Sequence, residues 1–218
     1  MKIKSATRVV ISVFSIVLGL AGIEHGIGEV LQGNIAPGGI VVKSWGESTL
    51  FSILAGEPAM TVIPNLLITG VLAIIVSLSI MVWAVAFVQR KNGGLVLIFL
   101  SILLLLVGGG FGPPLIGIIV GTAGTRINTP LSWWRRHLSV NTRRLLSKLW
   151  PWFLVASLLG YFYLFPTSII LWHFFGLYNP NIIYGVSSFA FGALLLAIFT
   201  GFARDYRSFL SKCSYLEG

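Results

Sequence analysis

Long uncharged apolar runs, each bounded by glycine, proline or charge, follow one another along almost the whole chain. Several exceed the ~18 residues that mark a transmembrane helix. The pattern predicts membrane segments at 9–31, 62–88, 95–110, 113–125, 150–175 and 182–203. Between the first two lies a connection rich in glycine and proline, 33–61, in which the stretch from Ser48 to Leu54 reads as a short interfacial helix. In the first segment Gly19, Gly22 and Gly26 stand at i, i+3, i+7, a smooth stripe on which another helix can pack closely. Pro64 and Pro151 fall in first turns, where a missing N–H is harmless, and Pro166 falls inside the fifth segment, where a kink is predicted.

By length alone, 95–125 reads as a single crossing. The run Gly108-Gly109-Gly110-Phe111-Gly112-Pro113-Pro114 argues against it. Glycine costs ~1 kcal/mol in a helix interior and proline ~3 kcal/mol, so a helix is expected to stop there. Charge points the same way. The following loop carries Arg126, Arg135, Arg136, Arg143, Arg144 and Lys148 with no acid, and one crossing before it would leave that loop outside, against the positive-inside rule. A broken hairpin is therefore expected, 95–110 outward and 113–125 returning. Residues 113–125 rise only ~20 Å against a hydrocarbon core of ~30 Å, so the break belongs within the outer leaflet or the pair is re-entrant. Gly117, Gly121 and Gly124 on the returning arm are suited to close packing.

Composition agrees: 10% of residues are charged and mean hydropathy is +0.93, whereas soluble domains carry roughly a quarter charged residues. The fold class expected is all-α, a polytopic bundle of six membrane segments forming one integral membrane domain over 1–218. The 15 Lys/Arg and 6 Asp/Glu are unevenly placed. Glu24, Glu29, Glu47 and Glu57 share one stretch whose single basic residue is Lys43. This asymmetry places the acidic stretch outside and both termini in the cytoplasm of a cell whose inner membrane holds the chain. The basic start (Lys2, Lys4, Arg8) before an apolar run that continues to Leu31 reads as an uncleaved signal-anchor. The net charge of +9 is read as membrane sidedness and lipid attraction, not as a nucleic-acid surface. Residues 131–149 form an expected interfacial basic helix in which Arg135, Arg136, Arg143, Arg144 and Lys148 meet anionic headgroups on the cytoplasmic face. Trp133, Trp134, Trp150 and Trp152 supply an aromatic belt. Cys213 is the lone cysteine, so no intrachain disulfide can form.

Candidate chemistry gathers in the acidic stretch. His25, Glu29 and Gln32 stand at i, i+4, i+7 and share a helix face with Gly22 and Gly26, which directs the polar stripe toward protein. About 20 residues from Val9 already span ~30 Å, so Glu24 and His25 lie below the outer boundary, where ionisable groups are functional candidates. The topology brings Glu57 and Asn65, His173 and the Gly/Pro break to the same side. Three readings apply to this cluster. It can be a path for a solute or a proton, with a broken helix offering backbone groups to the ligand. It can hold a divalent metal through His25 and Glu29. Or its members bond to one another and pin the 33–61 loop over the helix ends. The glycine run lacks the Lys-Ser/Thr of a phosphate loop, and Asp205 is expected on the face opposite His25 and His173, which disfavours a Ser-His-Asp triad.

The residues from Gly22-x-Glu24-His25-Gly26 to Gln32-Gly33-Asn34, with Ile63-Pro64-Asn65-Leu66-Leu67-Ile68-Thr69-Gly70, resemble a group of small bacterial polytopic membrane proteins. The resemblance covers mainly residues 19–110. No activity is assigned to that group, so it implies none here. The leading expectation is a protein that handles a small solute or ion at an outward polar site with Glu24, His25, Glu29, Gln32, Glu57, Asn65 and His173 as ligand-binding residues. An enzyme is less favoured. The alternatives are a membrane-embedded, metal-dependent enzyme acting on lipid, and a non-catalytic assembly or sensor subunit whose glycine faces meet a membrane partner or a second copy.

Overall fold

The structure is a computed structural model that describes residues 5–46, 48–52, 56–127, 129 and 136–216, with the backbone alone over 207–216. It is mostly helical. The helices are α1 (Ala6–Gln32), α2 (Leu66–Val82, extended by a widened turn over Trp83–Phe87), α3 (Gly93–Leu106), α4 (Gly112–Gly124), α5 (Val140–Phe162), α6 (Ser168–Phe175) and α7 (Pro180–Leu216). Four stretches are long and apolar enough to cross a membrane: Ala6–Gln32, Leu66–Phe87, Val140–Phe175 and Pro180–Tyr206. Gly93–Leu106 and Gly112–Gly124 are apolar but shorter. The helices account for the apolar periodicity, because a backbone in hydrocarbon must satisfy its own hydrogen bonds.

By its contacts the chain divides into two compact units, Ile11–Ile127 and a second made of Met1–Val10 with Asn128–Gly218. In the first, the glycine stripe of α1 packs on α2. A side chain at Gly26 would run into Gly70 and Ile74, one at Gly70 into Gly26 and Val30, and one at Gly22 into Ser77 and Leu104. Small residues let the two helices approach closely there. α4 packs on α3 in the same way, with Gly117 against Ser101 and both Gly121 and Gly124 against Gly94. Between α3 and α4 the helical path is broken at 107–111, where Gly108 (φ 89°) and Gly110 (φ 75°) adopt left-handed backbone open to glycine.

The connection between α1 and α2 holds an element that the apolar pattern does not signal. Strands β1 (Val41–Lys43) and β2 (Pro58–Met60) pair antiparallel, with Val42 opposite Ala59. The next residue, Thr61, bridges to Val107, and Val62 N–H and Gly108 N–H bond to Leu106 O and Met60 O at 3.0 and 2.9 Å. The broken helix end thus finds its backbone partners in the loop. Ser48 to Ser52 forms turns, and the remainder of the expected short helix lies outside the described residues.

In the second unit, Ser5 caps α1 by accepting from Arg8 N–H at 3.2 Å. Asp205 of α7 accepts from Ser5 Oγ (2.6 Å), Ala6 N–H (2.6 Å) and Thr7 N–H (3.0 Å). An anion at a helix N-terminus meets both unpaired N–H groups and the positive end of the dipole. α5 differs from expectation. Residues 140–149 continue into the apolar stretch as one helix capped by Ser139, so the expected basic helix at 131–149 is not a separate element over its second half. Pro151 accordingly lies in a helix interior and not in a first turn. The expected kink is present at Phe165 (φ −151°, ψ 119°), immediately before Pro166. Arg143 lies over the Tyr206 ring at 5.2 Å and Arg204 over Trp150 at 4.6 Å.

Two outcomes test these contacts by unfolding in detergent. Asp205→Ala removes the acceptor of three hydrogen bonds and is expected to destabilise by about 2 kcal/mol, with Asp205→Asn costing less. Gly108→Ala places a Cβ on a left-handed backbone against the Glu29 carboxyl and is expected to cost more than about 2 kcal/mol, whereas Gly112→Ala, which meets open space, is expected to be near neutral.

Candidate functional site

The polar residues of the first unit meet where the last turns of α1, the β1–β2 loop and the 107–111 break come together. His25 and Glu29 are buried, the latter with no exposed surface. Both face inward because the packed glycines, Gly22 and Gly26, lie on the same side of α1. The loop supplies the partners. Ser44, just beyond β1 and also fully buried, places its Oγ 2.8 Å from His25 Nδ1 and 3.4 Å from Glu29 Oε1. Glu57, just before β2, brings its carboxylate 3.0 Å from His25 Nε2. Glu57, His25, Ser44 and Glu29 thus form one continuous polar chain.

Glu24 joins from the preceding residue of α1. Its carboxyl comes within 4.8 Å of that of Glu57 and accepts from Trp45 Nε1. The Trp45 ring stacks on Phe51 at 4.2 Å and lies against α1 at Gly28, where a side chain would collide with it. Glu24, His25 and Glu57 each offer a ligating atom, and these atoms lie within 4.8 Å of one another. Burial pushes the Glu57 carboxyl above the ordinary carboxylate range. The loop holds Glu57 in a left-handed conformation (φ 52°) next to Gly56 (φ 72°). Such backbone is uncommon for a side-chain-bearing residue and is retained where the surroundings over-determine it.

The glycine break forms the wall behind these groups. A Cβ at Gly108 would strike the Glu29 carboxyl and one at Gly110 would strike His25 Nε2. Glu29 Oε2 has no hydrogen-bond partner among the described residues. Thr61 and Thr69, both buried, bond to each other at 2.9 Å, and the Thr69 methyl lies on the same side of Gly108 as Glu29. Further along the same helices, the hydroxyls of Ser77 and Ser15 are also buried without a partner among the described residues.

The residues expected at the site separate into three groups. Glu24, His25, Glu29 and Glu57 are brought together. Gln32 instead donates to Lys43 O (2.9 Å) and Ser44 O (2.7 Å), fixing the end of β1. Asn65 caps α2, accepting from Ile68 N–H at 3.1 Å and donating to Asn34 Oδ1. His173 belongs to the other unit, exposed in the last turn of α6 with its ring edge-on to Phe174. Of the basic residues, Arg136, Arg144 and Lys148 are exposed and Arg143 is half-buried, while Arg135 lies outside the described residues, as does Glu47. The metal pair read from helix spacing, His25 with Glu29, is linked through Ser44 among the described residues, whereas the carboxylate against His25 Nε2 is that of Glu57, with Glu24 in the same group. Ser44 and Trp45 escape a sequence reading because a serine and a tryptophan in a loop carry no spacing signal.

Ser44→Ala tests the chain directly. It leaves His25 Nδ1 and Glu29 Oε1 without the hydroxyl between them, and is expected to lower stability by about 1–3 kcal/mol in detergent unfolding, more than Ser52→Ala in the same loop, whose hydroxyl is exposed and bonds locally.

No protein-family model, curated protein or solved structure matches this chain, so its site stands on its own geometry.

Proposed function

We propose that this is a multi-pass inner-membrane protein that moves a small cation, taking it up at the polar end of α1–α4. One observation carries the reading. Three carboxyl groups, those of Glu24, Glu29 and Glu57, gather around one imidazole, largely out of water, and the one ion-pair geometry they make among the described residues is Glu57 with His25. Buried negative charge has to be balanced, and beyond His25 the balance can come from a bound cation or from protons. An anionic ligand is disfavoured by the same argument.

The surroundings suit passage. The backbone break at Gly108–Gly110 lies directly against the cluster, as the breaks in discontinuous helices lie beside ion sites. The hydroxyls of Thr69, Ser77 and Ser15 continue a polar line inward along α1 and α2.

The proposed topology has six membrane segments, with α3 and α4 as an outward hairpin and both termini cytoplasmic. The Asp205 cap supports it, since it joins the start of α1 to the late part of α7 and so requires an even number of crossings between them. The cations of 126–148 then face the cytoplasm and its anionic lipids, and the acidic site faces outward. A single cysteine at Val140, an exposed position, in a Cys213→Ser background is expected to react with an impermeant reagent only after the membrane is opened, and one at Ile35 is expected to react in intact cells. The opposite pattern overturns the topology.

Function is tested with the full chain sealed in lipid vesicles under imposed gradients of K⁺, Na⁺, Mg²⁺, Mn²⁺ or Zn²⁺. Flux of at least one cation above that of empty vesicles is expected, falling at least tenfold in a Glu24→Gln/Glu57→Gln double variant. Wild-type flux equal to that of empty vesicles for every cation overturns the proposal.

A further inference from the structure

We infer that Glu24, His25 and Glu57 form a binding site for one divalent transition-metal ion, with Ser44 and Glu29 as its positioning residues. This deepens the cation reading and rests on it. One imidazole nitrogen and two carboxylates make a borderline N/O donor set, the kind that holds Zn²⁺, Mn²⁺ or Fe²⁺. Magnesium and calcium favour all-oxygen shells. An ion with metal–ligand bonds of ~2.1 Å spaces tetrahedral ligand atoms roughly 3.4 Å apart. His25 Nε2 and Glu57 Oε2 already stand at 3.0 Å, and all three ligating atoms lie within 4.8 Å of one another, so small side-chain rotations suffice.

The proton arrangement around His25 is what turns a polar cluster into a metal site. Glu29 is fully buried, Oε2 has no partner among the described residues, and the one donor to Oε1 is the Ser44 hydroxyl. If that hydroxyl turned instead to His25 Nδ1, an ionised Glu29 would keep no hydrogen bond among the described residues. With Glu29 ionised, Ser44 donates to it and accepts from Nδ1–H, the tautomer that a metal bound at Nε2 requires. Nε2 is left as a lone pair 3.0 Å from Glu57 Oε2, and the ligating atoms of His25, Glu57 and Glu24 lie within 4.8 Å of one another. Acceptors this close need a proton or a metal ion between them, and one nitrogen with two carboxylates suits the metal. Metal-ligating histidines are held in the same way, donating the other ring N–H to an oxygen that is itself hydrogen-bonded.

Two further features fit an ion of this size. Trp45 fixes one oxygen of Glu24 through its indole N–H, so that the carboxylate is oriented before a ligand arrives. Gly110 brings bare backbone against His25 Nε2, leaving room that a side chain would fill.

The test is equilibrium metal binding by the full chain, purified in detergent, stripped with chelator and carrying Cys213→Ser to remove the thiol. Zn²⁺ and Co²⁺ are titrated, with retained metal measured by elemental analysis after gel filtration and Co²⁺ followed by its visible absorption. About one equivalent per chain is expected, with Co²⁺ bands of a nitrogen- and oxygen-ligated ion. Glu57→Gln and Glu24→Gln are expected to weaken binding at least tenfold and to shift the bands. Ser44→Ala and Glu29→Gln are expected to weaken it roughly 10- to 100-fold, the usual effect of removing an outer partner. His173→Ala leaves it unchanged. His25→Gln, checked for helicity by circular dichroism, abolishes it, and if that variant does not fold the carboxylate variants decide. Wild-type binding no tighter than that of the Glu24→Gln/Glu57→Gln variant overturns the inference. Vesicle flux of K⁺ or Na⁺ without metal binding defeats this inference alone, and metal binding without flux of any cation defeats the transport reading alone.

Discussion

Glu29 is a carboxyl group with no exposed surface, fixed on the face of α1 that also carries the packed glycines. A group of that kind in a membrane protein costs several kcal/mol unless something bonds to it. The local architecture answers that demand. The β1–β2 pair is held to the end of α1 by Gln32, which places Ser44 against Glu29 and His25. The same pair carries Glu57 back across to the far side of the imidazole. The glycines of the 107–111 break then allow backbone to close over both. Removing the carboxyl from this picture leaves the loop conformation and the strained Glu57 without a shared cause.

The two ends of α1 are treated in opposite ways. At its start an anion from α7 caps exposed N–H groups, a stabilising contact of a familiar kind. At its end, carboxyl groups collect where a helix C-terminus offers them no dipole stabilisation. Negative charge is thus concentrated where the backbone also presents carbonyls. That arrangement is unfavourable for a purely structural cluster and favourable for one that receives a positive ligand, which is why the proposed function is cationic.

Much of this was legible in the residues. The apolar runs correspond to helices, because hydrocarbon admits a spanning backbone in few other forms. The Gly/Pro run marks a break between two short helices, and the glycine spacing of α1 and α4 marks their contact faces, because both follow from local backbone cost and local geometry. Glu24, His25, Glu29 and Glu57 stood out because ionisable side chains are rare in so apolar a chain. Asn65 and Gln32 stood out as polar groups placed beside these, yet they serve as a cap and a loop anchor. Polarity alone does not distinguish these roles.

What the chain determines by itself is therefore its apolar class, the positions of its apolar helices and the neighbourhood of its charge, since each depends on hydrophobicity and spacing along the chain. Which groups touch was decided by tertiary structure. Helix periodicity placed His25 and Glu29 on one face and made them a pair. A three-residue strand pairing, too short to leave a pattern, inserted Ser44 between them and delivered Glu57 instead. The physical reason is that the pairing is non-local: β1 and β2 meet through backbone hydrogen bonds that any residues could make, and no side-chain period announces them.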